Sequence, residues 1–142
     1  MSVAYELLAS VVKYKFMAFD DAMQFYEKAI DDQHKPPGMD DKEWASRRSK
    51  ICGEMAKSYN GAMHDIHKAD ECFRRAMDFD SNMAVYNDYS EFLRVLGRIN
   101  EALALFENVV SKSDDERRLL EGSSILFIKN FMWYVHMGTH PC

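Results

Sequence analysis

The sequence predicts an all-α protein, and three observations support that prediction. Only 6 glycines and 3 prolines occur in 142 residues, and they cluster, so turn signals are too few for an all-β fold. Apolar residues recur three and four positions apart along most of the chain, which is the spacing of a helical face. One short pattern of small and large residues occurs three times. A chain of this length is expected to form one domain with a sizeable core.

Three helices are predicted in the first half of the chain. The first covers about residues 3–15, and its apolar residues are expected to form a buried face: Val3, Leu7, Leu8, Val11, Val12 and Tyr14. Asp20-Asp21 marks the start of the second helix. Pro36-Pro37-Gly38 cannot continue a helix and predicts a long loop. Asp40 or Asp41 can cap the third helix, which extends to about Met63.

Four more helices follow. The fourth starts after a tight turn at His64 and ends near Asp80. Ser81 or Asn82 starts the fifth helix, Gly97 ends it, and Asn100 is expected to cap the sixth. A seventh helix is predicted from Asp115 to about Met137.

The recurring pattern places a small, a large and a small residue on one helical face. It reads AMQFYEKA from Ala22, ADECFRRA from Ala69 and ALALFENV from Ala102. The second and third copies start 33 residues apart (102 − 69), and the first and second 47 apart (69 − 22). The shorter distance is close to the ~34-residue period of helix–turn–helix repeats. The longer one is a period plus an insertion of about thirteen residues, which the Pro-Pro-Gly loop and the longer helix after it absorb.

The segment NMAVYNDYSEFLRVLGRINEALALFENVVSKSDDE resembles a tetratricopeptide repeat over its whole length. The matching positions are Tyr86, Tyr89-Ser90, Leu93, Gly97, Ala102, Phe106 and Val109. Asp114 stands where the family often has proline, and Asp80-Ser81 replaces the usual aspartate-proline at the end of the preceding repeat. VYNDYSEFL is also similar to the half-a-tetratricopeptide variant of RNA-processing scaffolds, which shares the architecture.

The resemblance implies an antiparallel helix-hairpin array (an α-solenoid) of about three repeats with a C-terminal capping helix. The implied segments are repeat 1 at about 3–33, a loop at 34–41, repeat 2 at about 42–82, repeat 3 at about 83–114 and the C-terminal helix at about 115–137. In such an array the first helices line a concave groove that binds peptides or helices.

By the family's pattern, six residues would line that groove and bind a partner: Ile51, Glu54, Ser58, Asn87, Glu91 and Arg94. Family members that hold chaperone tails grip a C-terminal carboxylate with lysines, arginine and asparagines. Glu54 and Glu91 occupy clamp positions here and Asn87 replaces a lysine, so a basic or mixed-charge partner is expected instead. The alternative, that these residues are simply solvated, stays open.

The last predicted helix contains ILFIKNFMWYV and is apolar nearly all round. We expect Phe131, Trp133 and Tyr134 to bind a partner chain, because exposing all three to water is unfavourable. A wide contact within the monomer and a membrane anchor are the alternatives. The segment Ile125 to Met137 is shorter than the ~20 residues that a span needs, so a membrane anchor is the less favoured of them.

No catalytic motif is recognisable, and neither an enzyme nor a cofactor is expected. The residues His64, His67 and Cys72, and the tail residues His136, His140 and Cys142, are not expected to form metal sites. The net charge of −5 disfavours nucleic acid and anionic membranes as partners. Three cysteines without a disulfide spacing and no secretory signal predict a reduced, cytoplasmic protein.

These features predict a non-catalytic adaptor or scaffold subunit that binds a protein or peptide within a larger assembly, through the groove and the C-terminal helix. Self-association of identical copies stays open. The alternatives are a small membrane-associated protein anchored by its last helix, and an RNA-processing scaffold of the half-repeat kind.

Overall fold

A computed structural model describes residues 1–80 and 83–110, and it confirms that this part of the chain is helical, with no strand. The six α-helices are α1 Ser2–Phe16, α2 Phe19–Ala29, α3 Asp41–Asn60, α4 Ile66–Phe79, α5 Met83–Val95 and α6 Ile99–Val110. A short 3-10 turn, Asp32–His34, precedes the loop that contains Pro36-Pro37-Gly38. The predicted helix at about 115–137 lies outside the described residues.

The first compact unit covers Met1–Val85 and contains α1 to α4. Within it, α1 packs mainly on α2 and α3 mainly on α4, while α2 and α3 meet over a smaller area. Its most deeply buried apolar side chains are Ala9, Ala22, Tyr26, Ala29, Ile51, Cys52, Met55, Ala56, Ala69, Phe73 and Ala76. The small-large-small faces of α2 and α4 therefore form core contacts, as the sequence predicts. A second unit begins at Tyr86 and includes α6 and most of α5.

A left-handed residue recurs in three of the turns that join consecutive helices. Met17 has φ 52°, His64 has φ 51° and Gly97 has φ 76°. Each lies five residues before the first alanine of a recurring pattern, and these alanines are Ala22, Ala69 and Ala102. The backbone N–H of each alanine donates to the carbonyl of the residue after the left-handed one, at 3.0, 3.0 and 3.2 Å. The predicted tight turn at His64 is confirmed, and His64 has the left-handed conformation that Gly97 has between α5 and α6.

Two of the predicted helix starts agree with the structure, while one predicted start and one predicted end differ from it. Asp40 caps α3 by accepting the Glu43 N–H at 2.7 Å, and α3 ends at Asn60, three residues before the predicted end. At the start of α2, Asp20 and Asp21 lie in the first turn, as the sequence indicates. The prediction that Asn100 caps α6 is wrong. The carbonyl of Arg98 already accepts the first intrahelical bond, so α6 begins at Ile99.

The prediction that the apolar residues of α1 form a buried face is also wrong. Five of them are exposed, at 49% for Val3, 62% for Leu7, 45% for Leu8, 44% for Val11 and 72% for Tyr14. We call these five residues the α1 outer face. The buried residues of α1 are instead Ser2, Ala9 and Lys13.

The inner side of α1 is held by polar contacts and a small residue. The Ser2 hydroxyl donates to the carbonyl of Ala29 at 2.6 Å and accepts from Arg47 Nε at 3.1 Å. Arg47 also pairs with Glu6, which joins α1 to α3. Ala9 has no side chain beyond Cβ, so the helix can approach its neighbours closely. Because α1 is apolar on most sides, periodicity alone could not identify which side faces inward.

The core face of α4 gives a direct test of the packing. Phe73 is 1% exposed, so Phe73→Ala is expected to lower the free energy of unfolding by about 3–5 kcal/mol through lost burial and a residual cavity. The matched change Leu7→Ala on the α1 outer face is expected to cost well under about 1 kcal/mol. Urea unfolding followed by circular dichroism measures both. Equal losses for the two variants would contradict the burial described here.

Candidate functional site

The three predicted groove residues of α3 differ in their access to solvent. Ile51 and Ser58 are buried, at 2% and 7% exposure, and the Ser58 hydroxyl donates to the Glu54 carbonyl at 3.1 Å. Only Glu54 reaches the surface, with 41% of its side chain exposed. A partner that approaches this side of α3 therefore meets Glu54 first, while Ile51 lies in the core.

The other predicted residues lie on α5 or beyond the described chain. Asn87, Glu91 and Arg94 are half-buried on α5. Glu91 and Arg94 form a two-point ion pair, with Arg94 Nε donating to Glu91 Oε2 at 2.8 Å. This hydrogen bond from the guanidinium lowers the pKa of Glu91 below its usual value. Phe131, Trp133 and Tyr134 lie outside the described residues.

Glu54 is the centre of a charge cluster between α1 and α3. Lys57 Nζ lies 2.8 Å from Glu54 Oε1, and Lys13 Nζ lies 3.6 Å from Glu54 Oε2. Lys13 is almost fully buried, with its ammonium 4.5 Å from the ring centre of Tyr14 and 5.5 Å from that of Tyr26. The cluster carries two lysines and one carboxylate, and each charge has a partner.

The environment shifts the pKa of both partners toward the charged form. Burial alone would lower the pKa of Lys13, but Tyr26, Tyr14 and Glu54 together raise it. Burial alone would likewise raise the pKa of Glu54, but the hydrogen bond and charge of Lys57, with the charge of Lys13, lower it. The charges that link α1 to α3 are therefore retained at neutral pH.

Two adjoining cavities lie where α1 ends, α2 begins and α3 ends. One measures about 420 Å³ and the other about 500 Å³, and Met17 and Phe19 line both. We call the pair the turn groove. The first cavity is also lined by Lys13, Tyr14, Glu54, Lys57, Ser58 and Ala62. The second is also lined by Ala18, Asp20, Asp21 and Met63.

Sequence reasoning found part of the turn groove and missed the rest. The family pattern pointed to Glu54 and Ser58, which line the first cavity. Met17 and Phe19 were not singled out, although apolar residues at a turn between two helices are a signal of an exposed contact. Tyr14 lines the groove and also belongs to the α1 outer face, so the two surfaces are continuous.

The described residues offer little for metal or nucleophilic chemistry. Within residues 1–80 and 83–110, no group of three or more His, Cys, Asp and Glu side chains could hold a metal ion. Burial raises the pKa of the Cys52 thiol to about 12 and that of Cys72 to about 11. Both thiols therefore stay protonated at neutral pH, which makes them poor nucleophiles.

Comparison of the chain with protein-family models, curated proteins and solved structures finds no match. The described helices were also compared with the length and hydropathy that a bilayer requires. None of those in residues 1–80 and 83–110 is long and apolar enough to cross a membrane.

The charge cluster predicts a defined pH dependence. The folded-state pKa of Glu54 is lowered from 4.5, so its stabilising contribution is present above pH 4.5 and is lost as the pH falls through the lower folded value. Glu54→Gln is expected to reduce the free energy of unfolding at pH 7 by about 0.2–1 kcal/mol, because a partly exposed ion pair is screened by solvent.

Urea unfolding across a pH series measures the free energy of unfolding of Glu54→Gln and of the unsubstituted protein. The difference between these two free energies is expected to shrink below pH 4.5. Glu107→Gln on α6 removes an exposed carboxylate and controls for the loss of one negative charge. If the difference in the free energy of unfolding stays constant to the lowest pH measured, the ion pairs of Glu54 do not contribute to stability.

Proposed function

We propose that the protein is a non-catalytic interaction module built of tetratricopeptide-like helix pairs and that it serves as an adaptor or subunit of a larger assembly. The observation that carries the proposal is the α1 outer face. Five large apolar residues are 44–72% exposed on one helix, while the buried side of the same helix uses Ser2, Ala9 and Lys13.

The recurring turns support the repeat architecture. Three left-handed residues precede three small residues by the same five positions, and the same backbone hydrogen bond follows each of them. The contacts of α1 with α2, and of α3 with α4, agree with two helix pairs of this kind. Helical arrays bind partners through surfaces that their stacked helices expose, so this architecture favours a binding function over a catalytic one.

The energetics of the α1 outer face favour a protein partner. Removing apolar surface from water is worth about 25 cal/mol per Å², or about 1.5–3 kcal/mol for a fully buried large side chain. Each residue of the face has about half of its surface in water. Burying that surface against a partner therefore stabilises the complex by on the order of 1 kcal/mol per residue. Contiguous apolar patches of this kind mark interaction sites.

The remaining chemistry agrees with binding in a reducing compartment. Cys52 and Cys72 are free thiols in the core, where burial suppresses their ionisation. In the first cavity of the turn groove, Lys13, Glu54 and Lys57 are paired with one another. Cytoplasmic localisation is part of the proposal on these grounds.

Affinity purification of the tagged full-length chain tests the proposal. The double substitution Leu7→Glu/Val11→Glu is expected to abolish recovery of specific partners, because two carboxylates cannot be buried in an apolar contact without a large desolvation cost. Its circular dichroism spectrum is expected to be unchanged, since both residues are exposed.

Gln24→Glu, at an exposed position of α2, is the matched control and is expected to retain the partners. The proposal fails if the same proteins are recovered with Leu7→Glu/Val11→Glu as with the unsubstituted chain. It also fails if the unsubstituted chain recovers no partner that the control retains.

A further inference from the structure

We propose that the turn groove binds an extended peptide segment in which a large apolar residue stands two positions from a lysine or arginine. This inference deepens the proposed function and rests on it, because it assigns a ligand class to one surface of a protein-binding module. The supporting observations are the lining of the two cavities, the exposed side chain of Met17 and the unpaired charges at one end.

The lining of the two cavities gives the first argument. Apolar surface predominates in the first cavity, and the second is lined by Asp20 and Asp21 beside its apolar residues. The cavities share Met17 and Phe19, and their volumes, about 420 and 500 Å³, lie within the range of ligand-binding pockets. Alternate side chains of an extended segment point to the same side and lie about 6.6 Å apart, so residues i and i+2 can enter the two cavities.

Met17 gives the second argument. Its φ of 52° is in the left-handed region, where glycine is favoured, and Gly97 occupies the equivalent position in the third of the turns that carry a left-handed residue. The Met17 side chain is 71% exposed, so it contributes little to the core. Its flexible thioether is therefore an apolar group on the surface that can adapt to a ligand.

The charges give the third argument. Asp20 and Asp21 line the second cavity, are exposed, and form neither a cap hydrogen bond nor an ion pair within the described residues. Glu54 at the other end is already paired with Lys13 and Lys57. Lys13, Lys57 and Glu54 leave one positive charge at that end, whereas Asp20 and Asp21 place two negative charges at the start of α2. Electrostatic complementarity then selects a cationic residue there and fixes the direction of the bound segment.

Met17→Gly separates binding from stability. Glycine adopts the left-handed conformation without steric cost, so the melting temperature is expected to stay the same or rise. The apolar contact is lost, so peptide affinity is expected to fall. His64→Gly is the matched control, because His64 is left-handed at the equivalent turn, is exposed and does not line the groove. Asp20→Asn/Asp21→Asn removes the charge and keeps the shape.

The experiment selects a phage-displayed random peptide library on the full chain and on each variant in parallel. The full chain and His64→Gly are expected to enrich peptides that combine a large apolar residue with a lysine or arginine two positions away. A selected peptide, labelled with fluorescein and measured by anisotropy, is expected to bind at least about tenfold more weakly to Met17→Gly and to Asp20→Asn/Asp21→Asn. Affinity is also expected to fall as salt rises.

Three results would overturn the inference: no enrichment on the full chain, a consensus without basic residues, or affinities for the two groove variants within twofold of the full chain. These outcomes leave the proposed function standing if Leu7→Glu/Val11→Glu still abolishes partner recovery. The converse outcome is that the library selects a basic-apolar peptide while Leu7→Glu/Val11→Glu still recovers the same partners. That result would support peptide binding by the turn groove and contradict a role for the α1 outer face.

Discussion

The close approach of small residues just after a left-handed turn is the constraint on which the helix pairs depend. Met17, His64 and Gly97 reverse the chain, and five residues later an alanine at 0–2% exposure allows the next helix to pack without a gap. In α2 and α4 the large residue one turn further on, Tyr26 or Phe73, fills the space that the two flanking alanines leave. A larger residue at the alanine positions would separate the helices and expose that aromatic ring.

This packing determines which side of α1 faces inward. On this helix Ala9 is fully buried, and the Ser2 hydroxyl donates to the carbonyl of Ala29 in α2. Ion pairs of Arg47 with Glu6 and of Lys13 with Glu54 join the helix to α3. Polar and small residues therefore take the inner side, and the large apolar residues are left facing water. The inner side of α1 already makes the contacts that hold the helix in place. The apolar surface on its outer side therefore has no role in the fold of the described chain, and a surface of this kind is typical of a binding site.

The sequence predicted the helices well because periodicity, caps and breakers are local signals. The Pro-Pro-Gly loop, the Asp40 cap and the tight turn at His64 were all predictable from a few residues. It failed where the answer depends on neighbours distant in the chain. Whether Leu7 or Ala9 faces inward is decided by contacts with α2 and α3, and the burial of Ile51 and Ser58 by packing around α3. Of the candidate site, Glu54 was predicted, but the cavities at Met17 and Phe19 depend on where three helix ends meet.

Hydroxyl-radical footprinting of the isolated full-length protein, read by mass spectrometry, tests most directly that α1 turns its apolar residues outward. Tyr14 and Tyr26 share the same intrinsic reactivity and differ in exposure, 72% against 2%, so each serves as the reference for the other. The account predicts that Tyr14 and Leu7 are oxidised almost as fast as in the unfolded chain, while Tyr26 is strongly protected. Protection of Tyr14 and Leu7 equal to that of Tyr26 would contradict the outward orientation of the α1 outer face and remove the observation that carries the proposed function.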